Sequence, residues 1–193
     1  MLVDSLKNGT TIKFPLSVKF STNTQNVVEC SLDASPLALT LVEGQKTTAQ
    51  TVNFMPHAPG GVNYIESNGD VMSGIFTGCV MSAYKCNHRR RVAHVHTGTD
   101  AGPNKDCKNF MRDLMKKPGY APVIHFKPFD GARDADKAVK IAQQTNFGAA
   151  GCCVFGLITS NNKCYSIFTR KIGSHEYLVE DCVDMTNSQY RFV

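Results

Sequence analysis

From Thr10 to Ile65 the chain is a succession of short β-prone runs cut by turn-formers, too closely spaced for any helix to fit between them. Thr10 to Phe20 places Ile12, Phe14, Leu16, Val18 and Phe20 on one face, with polar residues or Pro15 on the other. That period of two predicts a strand, which Pro15 makes an edge or bent one. Val27 to Leu32, Leu37 to Val42, Thr48 to Phe54 and Val62 to Ile65 are predicted to follow as strands. Asp33-Ala-Ser-Pro36, Glu43-Gly44 and the stretch Met55 to Gly61 serve as breaks between them. The first third is therefore expected to be all β.

The turn Ser67-Asn-Gly-Asp70 leads into the central stretch, Gly74 to Asp100. Here Cys79 to Tyr84 and Val92 to His96 read as hairpin or adjacent strands around the basic segment Lys85 to Arg91. Helix is expected only afterwards. Cys107, Phe110, Met111, Leu114 and Met115 fall at helical spacing from Asn104 until Pro118-Gly119 stops the pattern. Val123 to Phe126 reads as a strand and Arg133 to Gln144 as a second helix. Cys152 to Thr159 and Cys164 to Thr169, joined by Ser160-Asn-Asn-Lys163, form the clearest hairpin, and Glu176 to Cys182 and Gln189 to Val193 are the closing strands. These elements predict a single α+β domain over residues 1–193, with a β-sandwich-like core of mixed and antiparallel strands and a few helices packed outside.

At 193 residues, 42% apolar and 19% charged, the composition is that of a globular chain and disfavours disorder, collagen and coiled coil. No apolar run approaches the roughly 18 residues of a membrane span. The start, Met-Leu-Val-Asp-Ser-Leu-Lys, has neither a basic leader nor a long apolar core, so no cleavable secretory signal is expected there. The eight cysteines are irregularly spaced and two are adjacent, unlike a secreted disulfide scaffold, so they read as mostly reduced thiols suited to a reducing cytosol. The Lys85 to Arg91 run reads as a solvated loop. It lacks the interleaved aromatic residues of a single-strand nucleic-acid platform, so with a net charge of +5 it fits an acidic patch on a protein partner better than nucleic acid.

The chemistry is concentrated at Cys79 and the histidines that follow. An antiparallel pair brings the first residue of one strand opposite the last of its neighbour, which places Cys79 beside His96. A nearby imidazole raises the thiolate fraction of such a cysteine. Gly74 and Gly78 allow the backbone before Cys79 to turn and aim N–H groups at a reacting carbonyl. His94 shares a strand face with His96, about 6 to 7 Å away along the strand, and remains the alternative base. The plainer readings are a buried core cysteine and hydrogen-bonded structural histidines. Cys79, Cys86, His88, His94, His96 and Cys107 are also close in sequence, but they match no zinc-site spacing, so no metal is assigned.

Thr77-Gly78-Cys79 followed by His96-Thr97-Gly98-Thr99 resembles the Ser-Gly-Cys and His pairing of the bacterial toxin glutamine deamidases, the group of the cytotoxic necrotizing factor catalytic domain and Burkholderia lethal factor. The Cys-to-His spacing is also similar to that of the chemoreceptor glutamine deamidases. The stretch Cys153 to Ser166 resembles the late hairpin of Burkholderia lethal factor. The resemblance implies Cys79 as nucleophile and His96 as its base, with the Ser73 backbone carbonyl orienting the imidazole and Thr77 and Gly78 in the loop that forms the oxyanion site. Where that group often has Thr and Ser, this chain has Ser73 and Thr77.

The expected activity is conversion of Gln to Glu on a host protein by a hydrolase without metal or organic cofactor. By resemblance the substrate is a Rho-type small GTPase or a translation-initiation RNA helicase. The source would be a bacterium releasing the protein by a route without a visible signal peptide, and the protein would act as a monomer in the reducing host cytosol. A papain-like protease or transglutaminase on the same dyad, and a non-catalytic β-sandwich binding module, are the competing readings.

Overall fold

The structure, a computed structural model, describes residues 2–20, 28–35, 38–43, 51–97, 101–131 and 152–192. Its strands are β1 (Thr11–Lys13), β2 (Val28–Ser35), β3 (Ala38–Glu43), β4 (Thr51–Pro56), β5 (Val62–Glu66), β6 (Asp70–Gly74), β7 (Val80–Cys86), β8 (Arg89–Val95), β9 (Tyr120–Phe126), β10 (Cys152–Ile158), β11 (Cys164–Lys171) and β12 (Glu176–Asp184). Among the described residues the helices are the short α1 (Leu2–Ser5) and the longer α2 (Gly102–Leu114), with one 3-10 turn at Pro128–Gly131. The architecture is α+β with a sheet-rich core, in two sheets. The larger sheet closes into a barrel in the order β1-β12-β11-β10-β6-β4-β2-β3, and the smaller is an antiparallel sheet in the order β5-β8-β7-β9.

Three apolar layers follow from strand alternation. Phe14, Phe54, Phe155 and Tyr177 meet inside the barrel with ring centroids 5.0–6.5 Å apart, joined by Ile12, Val52, Met72 and Leu157. Between barrel and sheet lie Met55, Val71, Phe76, Met81, Val92, Phe126, Val154 and Ile158. The far face of the small sheet is covered by α2 through Cys107, Met111 and Leu114 against Val80, Tyr84, Ala93 and Val95. Strand β10 explains its own unbroken apolar run. Cys153, Phe155 and Leu157 point into the barrel while Val154 and Ile158 point at the second sheet, so neither face meets water.

Several local expectations are corrected. Only Thr11–Lys13 of the alternating N-terminal run is a strand. The chain turns at Pro15, with Val18 N–H donating to the Pro15 carbonyl at 3.0 Å, so Ile12, Phe14 and Val18 are buried but Leu16 is 82% exposed. Phe110 lies on the rim of the helical stripe and is 53% exposed. Asp70–Gly74, read as the approach to the central stretch, is itself a fully buried strand. Residues 189–192 form no strand; Tyr190 N–H donates to the His125 carbonyl instead. The second expected helix, residues 133–144, lies outside the described residues.

The basic segment is not a loop. The register runs Tyr84↔Arg91, Lys85↔Arg90, Cys86↔Arg89, so β7 and β8 continue to a two-residue turn at Asn87 and His88, with φ of 47° and 70°. Two consecutive positive φ values make a turn of type I′, whose twist suits a hairpin. Arg90 points inward and is 8% exposed, donating to the carbonyls of Ser67, Gly69 and Thr159 and to Asn162 Oδ1. It ties the tip of the small sheet to the β5–β6 connection and to the β10–β11 turn of the barrel.

Candidate functional site

The site lies where the open end of the β7–β8 hairpin meets the rim of the barrel. Val80 pairs with Val95, so Cys79 and His96 occupy the next step beyond the ladder, opposite each other. Cys79 Sγ is 3.7 Å from His96 Nδ1, within reach of a sulfur hydrogen bond. Below them the parallel pair β4–β6 matches Pro56 with Gly74, which delivers His57 from the end of one strand and Ser73 from the other. Gly74 is required by packing, since a Cβ there would overlap the Phe155 ring. Gly78 takes φ 154° as the chain turns into Cys79, and its carbonyl accepts from the Thr97 hydroxyl at 3.2 Å.

Four histidine contacts define the interior of the site. His57 Nε2 is 2.9 Å from His96 Nδ1, and the two rings stack at 5.0 Å. His94 stacks on Phe76 at 4.0 Å and lies 4.8 Å from the His57 ring. Ser73 Oγ sits 2.5 Å from the Met55 carbonyl oxygen and 2.8 Å from His94 Nδ1. A carbonyl only accepts, so the single Ser73 proton goes to Met55. Ser73 Oγ must then accept from His94 Nδ1–H, and this fixes the His94 tautomer with a lone pair on Nε2. That Nε2 is buried and has no hydrogen-bond partner.

Burial governs the ionisation of the site. It pushes the Cys79 thiol up, against the opposing pull of the Thr97 N–H and the Lys127 ammonium. At rest Cys79 is thus a thiol, where the neighbouring imidazole was expected to favour thiolate. Burial, reinforced by the charge of His96, brings His57 down to about 4; burial holds the fully enclosed His94 well below its ordinary value. His96 Nδ1 faces both His57 and Cys79 but carries at most one proton. When it accepts from His57 Nε2–H, its lone pair also faces the thiol proton of Cys79; when it donates to His57, it cannot act as base.

The structure therefore brings Cys79, His96 and His94 together. Ser73 is next to the site, but its hydroxyl holds His94, and among the described residues the hydrogen bonds at the His96 ring are to His57 and Cys79. Thr77 is exposed and Gly78 half-exposed at the lip, while residues 98–100 lie outside the described residues. Cys86 is buried and, with Cys107, packs in the cluster beneath α2; His88 is in the hairpin turn. No disulfide joins the seven cysteines whose side chains are described. His57 and Lys127 were missed in the sequence. His57 stands in Met55-Pro-His-Ala-Pro, which reads as a turn, and only the parallel β4–β6 pairing carries it to Cys79.

No protein-family model matches this chain, and no curated protein is significantly similar to it. Among the described residues no helix is long and apolar enough to cross a membrane.

Proposed function

We propose that the protein is a cysteine-dependent glutamine deamidase acting on a host protein as a bacterial toxin or effector, with Cys79 as nucleophile and His96 as general base and acid. The observation that carries the dyad is the 3.7 Å contact between Cys79 Sγ and His96 Nδ1 at the mouth of the hairpin. The choice of glutamine rests on the resemblance of Thr77-Gly78-Cys79 and His96-Thr97 to the toxin deamidases. Two features favour His96 over His94. It contacts the sulfur directly, and it is half-exposed, whereas the buried His94 resists the positive charge that an acid to a departing amine must carry.

In this chemistry His96 Nδ1 takes the thiol proton as sulfur attacks the side-chain carboxamide carbon of the target Gln. Backbone N–H groups of the Thr77-Gly78-Cys79 turn supply the oxyanion site. The C–N bond breaks as His96 returns the proton to nitrogen, ammonia leaves, and a thioester remains on Cys79. Water, deprotonated by His96, cleaves the thioester to Glu and restores the thiol. No metal or organic cofactor takes part. The substrate candidates are a Rho-type small GTPase and a translation-initiation RNA helicase, each presenting Gln on an exposed loop.

The test is mass spectrometry of those candidates and of a whole host proteome after exposure to wild type or Cys79→Ser. Conversion of Gln to Glu with wild type alone supports the reading. Chain cleavage or an amine adduct would instead assign the dyad to a protease or transglutaminase. His96→Ala is expected to remove turnover, and His94→Ala to lower stability first. Turnover kept by His96→Ala and lost by a folded His94→Ala would move the base to His94.

A further inference from the structure

Cys79 has a second environment that acyl chemistry leaves unused. One nitrogen each from His57 and His94 and the sulfur of Cys79 lie within 4.8 Å of one another. The His94 side chain is wholly enclosed, and its Nε2 has no protein partner. The Met55 carbonyl, Ser73 hydroxyl and His94 Nδ1–H form a chain that fixes the ring and leaves Nε2 as a donor. Metal-bound histidines are held in the same way, with the second ring nitrogen donating to an oxygen.

We propose that His57, Cys79 and His94 bind a zinc-class divalent cation that masks the Cys79 sulfur, with His96 or water as fourth ligand. Two imidazoles and a thiolate suit a borderline-soft ion and not magnesium or calcium, which take oxygen ligands. Tetrahedral zinc, with bonds of about 2.0–2.1 Å to nitrogen and about 2.3 Å to sulfur, separates its ligand atoms by roughly 3.3–3.6 Å. The present atoms, all within 4.8 Å of one another, must draw together to that spacing when the ion binds. Binding releases the Cys79 proton to solvent and ties up the lone pairs of sulfur and His94 Nε2. That the bound ion silences the enzyme rests on the proposed function; the binding itself does not.

Sequence spacing concealed this set because His57 comes from the barrel, while Cys79 and His94 come from the small sheet. The test is titration of the full reduced chain with cobalt(II) and equilibrium dialysis with zinc(II). Expected are one saturable equivalent, tetrahedral d–d bands and a sulfur-to-cobalt charge-transfer band. Cys79→Ala should abolish the charge-transfer band, while Cys86→Ala and Cys107→Ala should keep it. His57→Gln, at a half-exposed position, should weaken binding at least tenfold, which keeps the test decisive even if His94→Gln fails to fold. Absence of saturable uptake, or a charge-transfer band that survives in Cys79→Ala, overturns the proposal. Zinc should also protect Cys79 from alkylation. If metal-free protein deamidates nothing while the cobalt spectrum is as expected, the deamidase reading falls and the metal site stands. Deamidation by a chain that takes up no metal removes the metal site and leaves the deamidase.

Discussion

Arg90 offers the sharpest test of how the small sheet is fixed to the barrel. Arg90→Ala removes bonds of 2.6 Å to the Ser67 carbonyl, 3.0 Å to Gly69, 2.8 Å to Thr159 and 2.9 Å to Asn162 Oδ1. Hydrogen bonds to a charged group are worth about 1.5–3 kcal/mol each, but the sum is never realised. The Ser67 and Gly69 carbonyls are in a half-exposed turn and regain water, and the variant avoids the roughly 2 kcal/mol of rotamer entropy that ordering the arginine side chain costs on folding. The bond to Thr159 is buried, so water does not replace it and its loss costs about 1.5–3 kcal/mol; the Thr159 carbonyl keeps only the Asn162 N–H at 2.9 Å, and the nearby carboxylate of Asp70 loses a compensating charge. A net loss of about 3 kcal/mol is expected, which for a chain of this size lowers Tm by roughly 6–12 °C. Arg90→Lys keeps the charge without the fork and should lose about half as much. The neighbouring Arg89 pairs with Glu66 at 3.0 Å but is 74% exposed, so Arg89→Ala should stay within about 0.5 kcal/mol. Urea unfolding followed by far-ultraviolet circular dichroism measures all three variants. If Arg90→Ala costs no more than Arg89→Ala, the account of Arg90 as a buried tie is wrong.

Two further outcomes follow from local geometry. Burial brings His125 down to about 4 from 6.5, so between those values the unfolded chain binds a proton that the folded site refuses, and acidification through that window lowers stability. The full shift would correspond to about 3.4 kcal/mol, and solvent reaching the half-buried ring reduces this to about 1–2 kcal/mol. His125→Gln should flatten that part of the urea midpoint against pH, and an unchanged slope would refute the assignment. In the hairpin turn, His88 holds φ 70° at a cost that glycine does not bear. His88→Gly should therefore raise stability by about 0.5 kcal/mol, and a lower Tm would contradict the turn geometry.

The sequence by itself determined the strand-rich character, the late hairpin and the pairing of Cys79 with His96. Each depends on local alternation or on two segments joined by a short turn, and such contacts are written in consecutive residues. Even the β7–β8 hairpin was legible, although its extent was not. Asn87 and His88 are the whole turn, and the charges of Lys85 and Arg90 disguised strand as loop. Tertiary structure decided what non-local pairing controls. Closure of the barrel by β1 against β3 and the parallel β4–β6 pair leave no mark in periodicity, yet they bring His57, Met55 and Ser73 beneath Cys79. The direction of the Cys79 shift was equally hidden. A histidine beside a thiol predicts more thiolate, whereas burial raises the Cys79 thiol against the opposing Thr97 N–H and Lys127 ammonium, and only the tertiary packing supplies that burial.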